Sequence, residues 1–240
     1  MRYGIFGDIH GNLEALHAVL ADMVDQGVET YVCTGDIVGY GANPRECLQQ
    51  VRDISDIIIA GNHDHAVAEK LNIDFFNAYA KEAVIWTRRQ ISKEERDFLY
   101  NLPLVHQDEK FTVVHGTLNY PQMFDYIQTS YDAYLSLELL QTPVCFLGHS
   151  HVPITFYQED SVELTTSSII EVDEEGKYLI NVGSVGQPRD ENPLSAYAVF
   201  DSEQMVAEIR RVEYDIETAS RKIMDASLPA ILAERLYYGR

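Results

Sequence analysis

The sequence of 240 residues contains no apolar stretch close to the ~18 to 20 residues that are needed to span a lipid bilayer. Its first residues reach Asp8 before the apolar core of a signal peptide could form. Internal repeats, low-complexity tracts and linkers rich in Pro, Gly or Ser are also absent. We therefore expect a single domain over residues 1–240 in a soluble, cytoplasmic protein that does not bind membranes.

Basic residues are few: 18 Lys and Arg stand against 38 Asp and Glu, which gives a formal net charge of -20. Such a surface repels the backbone of nucleic acids, so duplex DNA is excluded as an expected partner. A phosphorylated substrate would need local positive charge from another source, and bound metal ions can supply it. The three cysteines have no paired spacing, which favours a reduced, intracellular chain without disulfides.

Apolar runs and helical patterns alternate in the first 150 residues, which predicts a largely parallel sheet. The predicted strands are Tyr3–Gly7, Thr30–Thr34, Ile57–Ala60, Phe111–Val114 and Val144–Leu147. A helical insertion at about residues 66–103, with a possible capping box at Ser92–Glu95, is predicted to form a cap or flank.

After His151 the pattern changes to consecutive strands joined by turns, which predicts a second, mainly antiparallel sheet. An amphipathic segment at about Ile216–Leu236 is predicted to form one closing helix. The expected fold class is therefore α/β, with two sheets packed face to face and helices on the outside.

Five short motifs with metal-binding residue types follow the apolar runs. Because parallel strands place their carboxyl ends along one edge of a sheet, we expect the motifs to meet there. Glycines in the motifs allow sharp turns and close backbone approach. The motifs are Gly7-Asp8-Ile9-His10, Gly35-Asp36, Gly61-Asn62-His63-Asp64, His115-Gly116 and Gly148-His149-Ser150-His151.

The side chains of these motifs offer oxygen and nitrogen donors without any thiolate, which suits Mn, Fe, Zn, Ni or Co. Seven donors exceed one tetrahedral shell, but they can serve two ions if one carboxylate is shared. Two ions about 3.5–4 Å apart form the arrangement used for in-line displacement at phosphorus. The predicted ligands are Asp8, His10, Asp36, Asn62, His115, His149 and His151.

The ordered set of motifs resembles the calcineurin-like metallophosphoesterase superfamily, in particular its small YfcE-like and MJ0936-like phosphoesterases. The resemblance covers the first 151 residues and implies a four-layer α/β/β/α sandwich. It also implies that Asp36 bridges two ions, preferentially Mn. The implied ligand sets are Asp8, His10, Asp36 and His151 for one ion, and Asp36, Asn62, His115 and His149 for the other.

The resemblance further implies that His63 is a catalytic residue that faces the scissile ester, where it stabilises charge and protonates the leaving oxygen. Asp64 would orient the His63 ring, as carboxylates do in other hydrolytic sites. Asn12 and Arg189 are candidates for binding the substrate phosphate. Three tyrosines that follow the motifs, Tyr40, Tyr120 and Tyr126, are assigned to packing and left outside the predicted site.

The predicted function is hydrolysis of a phosphate ester by a hydroxide that bridges two divalent transition-metal ions. The expected partner is a small phosphorylated substrate, either an organic phosphate or a nucleotide, cleaved by a phosphodiesterase or phosphatase activity. Two alternatives stay open: an interaction or regulatory scaffold that keeps this fold, and a protein Ser/Thr phosphatase. The second is weakened because Gly35-Asp36-Ile37-Val38 lacks the arginine of that branch.

Overall fold

The computed structural model describes residues 1–240, which form two mixed six-stranded sheets. The first sheet contains, in spatial order, β3 (Ile57–Ile58), β2 (Thr30–Cys33), β1 (Arg2–Phe6), β11 (Ser195–Asp201), β12 (Val206–Val212) and β9 (Ile169–Glu171). The second contains β4 (Val105–Gln107), β5 (Phe111–Val114), β6 (Val144–Leu147), β10 (Tyr178–Asn181), β7 (Ile154–Gln158) and β8 (Val162–Thr165).

Eight α-helices accompany the sheets, and three of them form the predicted insertion between β3 and β4. The Ser92–Glu95 capping box is confirmed, since the Ser92 hydroxyl accepts from the Glu95 N–H and the Glu95 carboxylate accepts from the Ser92 N–H. No helix is both long and apolar enough to cross a lipid bilayer. The helices are α1 (Leu13–Asp25), α2 (Pro44–Ile54), α3 (Asn62–Val67), α4 (Ala78–Gln90), α5 (Lys93–Asn101), α6 (Ser130–Leu139), α7 (Ile216–Asp225) and α8 (Ala230–Glu234).

The two sheets pack face to face through an apolar core to which both contribute. Ile5 and Phe200 of the first sheet are fully buried against Phe111 and Phe146 of the second. The ring centroids of Phe146 and Phe200 are 5.2 Å apart. The outer faces of the sheets are covered by helices, α1 and α2 on the first and α6 on the second. The predicted four-layer α/β/β/α sandwich is confirmed.

The distribution of strands between the sheets differs from the prediction. The early strands do not form one sheet: β1, β2 and β3 are parallel neighbours in the first sheet, while β5 and β6 are parallel neighbours in the second. Late strands complete each sheet, with β11 antiparallel to β1 and β10 parallel to β6. Each strand's hydrophobic pattern indicates that it is buried but does not specify its neighbour, so the pairing could not be predicted.

The predicted closing helix is broken into two. Helix α7 ends at Asp225, and the chain then passes through Ser227 in the left-handed region (φ 56°) before Pro229 precedes α8. Proline lacks an N–H and its ring clashes with the preceding turn, so a continuous helix is excluded at this point. Strands β4 and β8 were also not predicted, because each is short and partly exposed.

Candidate metal centre

The predicted metal-binding residues come from both sheets and meet where the carboxyl ends of their central strands lie side by side. Asp8 follows β1 and Asp36 follows β2, while His115 follows β5 and His149 follows β6. Asn62 begins α3, separated by three residues from the end of β3. The prediction of a single sheet edge is therefore corrected: the motifs converge, but across the junction between two sheets.

The backbone adopts a strained conformation at most of these positions. A positive φ is uncommon outside glycine and costs about 1–3 kcal/mol where the surroundings enforce it. Left-handed values at five predicted ligands turn the chain sharply after each strand and direct the side chains toward a common centre. They are Asp8 (49°), His10 (50°), Asp36 (52°), His149 (68°) and His151 (62°).

Glycines beside the ligands make room for the carboxylates. A Cβ on Gly61 would lie 2.0 Å from Asp36 Oδ1, and one on Gly148 would lie 2.2 Å from Asp8 Oδ2. Both distances are far below van der Waals contact, so any larger residue would displace a carboxylate. The close backbone approach predicted for these glycines is present at both positions.

Asp8, His10 and His151 form the first group of possible ligands, and all three are buried. The His151 Nε2 atom lies 3.2 Å from Asp8 Oδ1 and 3.1 Å from His10 Nε2. Asp36 Oδ2 lies 3.6 Å from His10 Nε2 and completes the set. The backbone N–H of His149 donates to Asp8 Oδ2 over 2.9 Å, which leaves Oδ1 directed at the group.

Asp36, Asn62, His115 and His149 form the second group. The His115 Nε2 atom lies 3.4 Å from Asp36 Oδ2 and 3.3 Å from Asn62 Oδ1. His149 offers a nitrogen within 4.8 Å of the ligand atoms of Asp36 and His115. The other oxygen of Asp36 accepts the backbone N–H of His63 over 2.7 Å, so Oδ2 is the atom common to both groups.

Three of the histidines have one ring nitrogen held by a backbone carbonyl. His10 Nδ1 contacts the oxygen of Val38 at 3.2 Å, His115 Nδ1 that of Thr34 at 2.8 Å, and His151 Nδ1 that of Gln187 at 2.6 Å. A carbonyl only accepts, so we assign the proton of each neutral ring to Nδ1. Each Nε2 then presents a lone pair to the centre, as in histidines that bind metals.

This arrangement fits cations at the centre. The Nε2 lone pairs of His10 and His151 face each other at 3.1 Å, an unfavourable contact that a cation between them would relieve. Two buried atoms in the groups, Asp8 Oδ1 and His149 Nε2, have no hydrogen-bond partner. A buried polar atom without a partner costs about 1–3 kcal/mol, which coordination to an ion would recover.

The electrostatics of the centre also favour positive charge. Burial alone would raise the pKa of Asp36, but the histidines around it, His115 first, hold that pKa well below its ordinary value. The His115 ring is buried, which lowers its pKa, yet Asp36, Asp8 and the Thr34 carbonyl together raise it to about 9. In the metal-free protein this ring therefore carries a proton that must leave Nε2 before His115 can bind an ion. Burial lowers the pKa of His149 to about 3, so that ring is neutral at pH 7 and free to act as a ligand.

We expect saturating Mn²⁺ to raise the melting temperature of the chelator-treated protein by about 8–16 °C. Ions that bind only the folded state stabilise it by about 4 kcal/mol at a thousand times Kd, and a domain of this size gains about 2–4 °C per kcal/mol. Differential scanning calorimetry with and without metal measures the shift. Identical melting temperatures would contradict a metal centre, and Asp36→Asn provides the matched variant in which the shift should shrink.

His63 lies beside both groups, and one of its nitrogens is within 4.8 Å of the ligand atoms of His10 and Asp36. Its ring contacts Tyr40, with 4.5 Å between centroids, and its Nδ1 atom lies against Gly39, where a Cβ would be only 2.5 Å away. Burial lowers the pKa of His63 to about 4. The catalytic role of His63 stays a prediction, which metal analysis of a variant can test.

The role of Asp64 in orienting His63 stays a prediction, and the contacts of its carboxylate are with backbone N–H groups. Asp64 Oδ1 accepts the backbone N–H groups of Ile37 (2.9 Å) and Val38 (3.3 Å), and Oδ2 accepts that of Gly61 (3.0 Å). Asp64 therefore fixes the loop after Asp36 to the start of α3. The His63 Nδ1 atom has no hydrogen-bond partner at all.

Asn12 has a structural role, and substrate binding by Asn12 stays a prediction. It caps α1 by accepting the Ala15 N–H over 3.1 Å, and its amide donates to the carbonyl of Gly186 over 2.9 Å. Both polar ends are thus occupied within the fold. A cap residue in the pattern Asp8-x-His10-x-Asn12 could have been predicted from its place before the first helical residue.

Arg189 lies close to the centre, and one of its donors is unpaired within the protein. Its Nη2 donates to Gln187 Oε1 over 2.9 Å, whereas its Nε is buried without a partner. Burial, and after it the Arg189 guanidinium, lower the pKa of His151. Binding of substrate phosphate by Arg189 stays a prediction.

Two of the three tyrosines assigned to packing line a cavity of about 420 Å³ that Asn62, His63 and His149 also line. Tyr126 stacks on His149, with centroids 3.9 Å apart and an angle of 12° between the rings. Tyr40 packs on His10 at 4.6 Å, while Tyr120 does not line the cavity. No periodic pattern around Tyr126 distinguishes it from a packing residue in the sequence.

Comparisons with known proteins agree with this geometry. The protein MJ0912 of Methanocaldococcus jannaschii is 42% identical over 242 residues, which cover 98% of this chain and 97% of the relative. A metallophosphoesterase from Sphaerobacter thermophilus is 38% identical with a TM-score of 0.89, covering 100% of this chain and 99% of that one. The protein PH1004 of Pyrococcus horikoshii shares the fold at 21% identity and a TM-score of 0.79, over 100% and 98% of the chains. The calcineurin-like phosphoesterase superfamily domain model matches residues 1–205, and the chain therefore belongs to this superfamily.

Proposed function

We propose that the protein hydrolyses a phosphate ester of a small organic molecule or nucleotide with two divalent transition-metal ions, Mn²⁺ being the first choice. The observation that carries the proposal is the position of Asp36 Oδ2. It lies 3.6 Å from His10 Nε2 and 3.4 Å from His115 Nε2, so one buried carboxylate oxygen belongs to both ligand groups. A shared anion of this kind is what a pair of adjacent cations requires.

The ions would be held by Asp8, His10, Asp36 and His151 on one side, and by Asp36, Asn62, His115 and His149 on the other. When bound, they supply Lewis-acid charge at the phosphoryl group and lower the pKa of water there. The chain contributes rigidity, because backbone groups hold the second oxygen of both aspartates and the second nitrogen of three histidines. Ligands fixed in this way need little rearrangement when an ion binds.

His63 is proposed to act on the leaving oxygen. In the protein alone its ring is neutral at pH 7, since burial lowers its pKa to about 4. A negatively charged phosphoryl group beside the ring favours the protonated form, which can then transfer its proton as the ester bond breaks. The ring is held in place by packing on Tyr40 and Phe76, with centroid distances of 4.5 and 5.2 Å.

Arg189 is proposed to bind phosphoryl oxygens that the metals do not contact. Guanidinium groups match the geometry of phosphate, and the buried Nε of Arg189 has no hydrogen-bond partner within the protein. The protein's formal charge of -20 makes such a local cation the more necessary for holding an anionic substrate. A scaffold protein would not require Arg189, or a His63 ring whose Nδ1 has no hydrogen-bond partner, beside the ligand groups.

A screen of the purified protein with Mn²⁺, Ni²⁺, Zn²⁺ or Mg²⁺ against p-nitrophenyl phosphate and bis(p-nitrophenyl) phosphate tests the proposal. We expect hydrolysis that disappears with chelator and returns on adding metal. Asp36→Asn protein purified in parallel controls for contaminating phosphatases. If elemental analysis finds two ions per chain and neither ester is cleaved, the scaffold alternative replaces the enzyme.

A further inference from the structure

The cavity beside the metal centre is unusual in its chemistry. It has a volume of about 420 Å³ and no lysine, arginine, aspartate or glutamate lines it. Apart from the residues of the centre, its walls are mainly aromatic or apolar. The aromatic residues and the methionine of the wall are Tyr40, Phe75, Phe76, Met123, Phe124 and Tyr126. A cavity of this size lies in the range of small-molecule sites, about 300–1,000 Å³.

The inner part of the wall packs against histidines of the site, whereas the side chains at its rim are exposed. Phe76 packs on His63 and Phe124 packs edge-on against His115 with 5.9 Å between centroids. At the rim, by contrast, Phe75 is 96% exposed and Met123 is 65% exposed. Exposed apolar side chains gathered at a cavity beside a reactive centre mark a binding surface.

The position of His63 determines which part of a substrate enters the cavity. His63 lines it together with Asn62 and His149, so the cavity starts at the residue that we assign to the leaving oxygen. The phosphoryl group occupies the metal centre, and the group attached through the leaving oxygen then extends along the aromatic wall. Phe75 and Phe76 both lie in the helical insertion, between α3 and α4. The insertion therefore contributes part of the cavity wall.

We infer that the substrate carries a single phosphate on a planar aromatic group that has no charge of its own. This inference rests on the proposed function and specifies its substrate class. Aromatic side chains stack on planar rings of any identity. Nucleosides and aryl alcohols therefore share the planar ring that this wall would bind. No Lys or Arg lines the cavity, and Arg189, which contacts its wall at Tyr40, is already assigned to the phosphoryl group. A polyphosphate chain or a second anionic group would therefore find no further cation among the lining residues of a strongly acidic protein.

Steady-state kinetics of the metal-loaded protein test the inference with esters whose leaving groups are all alkoxides. Adenosine 5′-monophosphate represents nucleosides, benzyl phosphate represents aryl alcohols, and glycerol 1-phosphate has no ring. Stacking is worth a factor of about 5 to 150, so we expect kcat/KM for at least one aromatic ester to exceed that of glycerol phosphate by this factor. ATP should be a poorer substrate than adenosine 5′-monophosphate.

Phe75→Ala should reduce the preference for the aromatic ester over glycerol phosphate by about 5-fold or more. Tyr131→Ala is the matched control, since Tyr131 is an aromatic residue that is 87% exposed but lies outside the cavity. A second measurement needs neither metal nor turnover: calorimetric titration of the metal-free protein with adenosine and with benzyl alcohol. We expect binding that Phe75→Ala weakens and Tyr131→Ala does not.

The outcomes separate this inference from the proposed function. Equal kcat/KM for all three esters, a preference for ATP, or a preference that Phe75→Ala does not reduce would overturn the inference and leave a phosphoesterase. Failure to cleave any ester with two ions bound would refute the proposed function. In that case, adenosine or benzyl alcohol binding that depends on Phe75 would still support an aromatic ligand in the cavity.

Discussion

Replacing Asp36 by asparagine should lower both the metal content and the hydrolytic activity more than any other single change. Asp36 Oδ2 lies within 3.6 Å of nitrogens in both ligand groups, so the change removes the one anion that they share. Lewis-acid stabilisation is worth several kcal/mol, and each 1.36 kcal/mol is a factor of ten in rate. We therefore expect activity to fall by about 10³-fold or more, and elemental analysis to find fewer than two ions per chain.

The asparagine variant should remain folded, because its amide oxygen can still accept the His63 N–H that Asp36 Oδ1 accepts at 2.7 Å. Circular dichroism verifies this. Asp201→Asn is the matched control: Asp201 lies in the first sheet and its carboxylate also accepts backbone N–H groups, but it lies opposite Arg2, at the end of β1 away from the metal centre. Retention of two ions by Asp36→Asn would rule out the bridging role, even if activity were lost.

The elements that the sequence predicts well are those whose signal is local. Strands such as β5 (Phe111–Val114) and β6 (Val144–Leu147) are buried at every position and apolar at all but Thr112, and their predicted bounds agree with the structure. The metal-binding residue types follow such strands directly, so their convergence could be predicted without knowing the pairing. The superfamily resemblance then identified the fold that the structure confirms.

The features that could not be predicted depend on contacts between distant residues. The parallel strands are divided between two sheets, and β11 pairs with β1 in one sheet while β10 pairs with β6 in the other. Both late strands lie more than 30 residues beyond β6 in the sequence. Three histidines are oriented by backbone carbonyls of Val38, Thr34 and Gln187, and a carbonyl leaves no side-chain signal in a sequence. For the same reason the hydrogen bond from the distant Ile37 N–H to Asp64 could not be predicted.

His63→Gln should lower turnover of an ester with a poor leaving group by about 10²- to 10⁴-fold, the usual value of a positioned acid. Glutamine keeps a polar group but cannot transfer a proton, so an alkoxide must depart without one. Esters of p-nitrophenol should be affected less, because nitrophenolate leaves readily in its anionic form. Measuring kcat/KM for both ester types on the same preparation gives the contrast directly.

Metal analysis decides what a loss of activity in His63→Gln means. Because one His63 nitrogen lies within 4.8 Å of the ligand atoms of His10 and Asp36, a ligand role and an acid role predict different metal contents. The acid role requires two bound ions in the variant and a loss confined mainly to the alkoxide ester. A loss of one ion, with both esters slowed alike, would make His63 a ligand instead. His17→Gln, which changes an exposed histidine on α1, should leave both the ion count and the rates unaltered and so controls for the substitution itself.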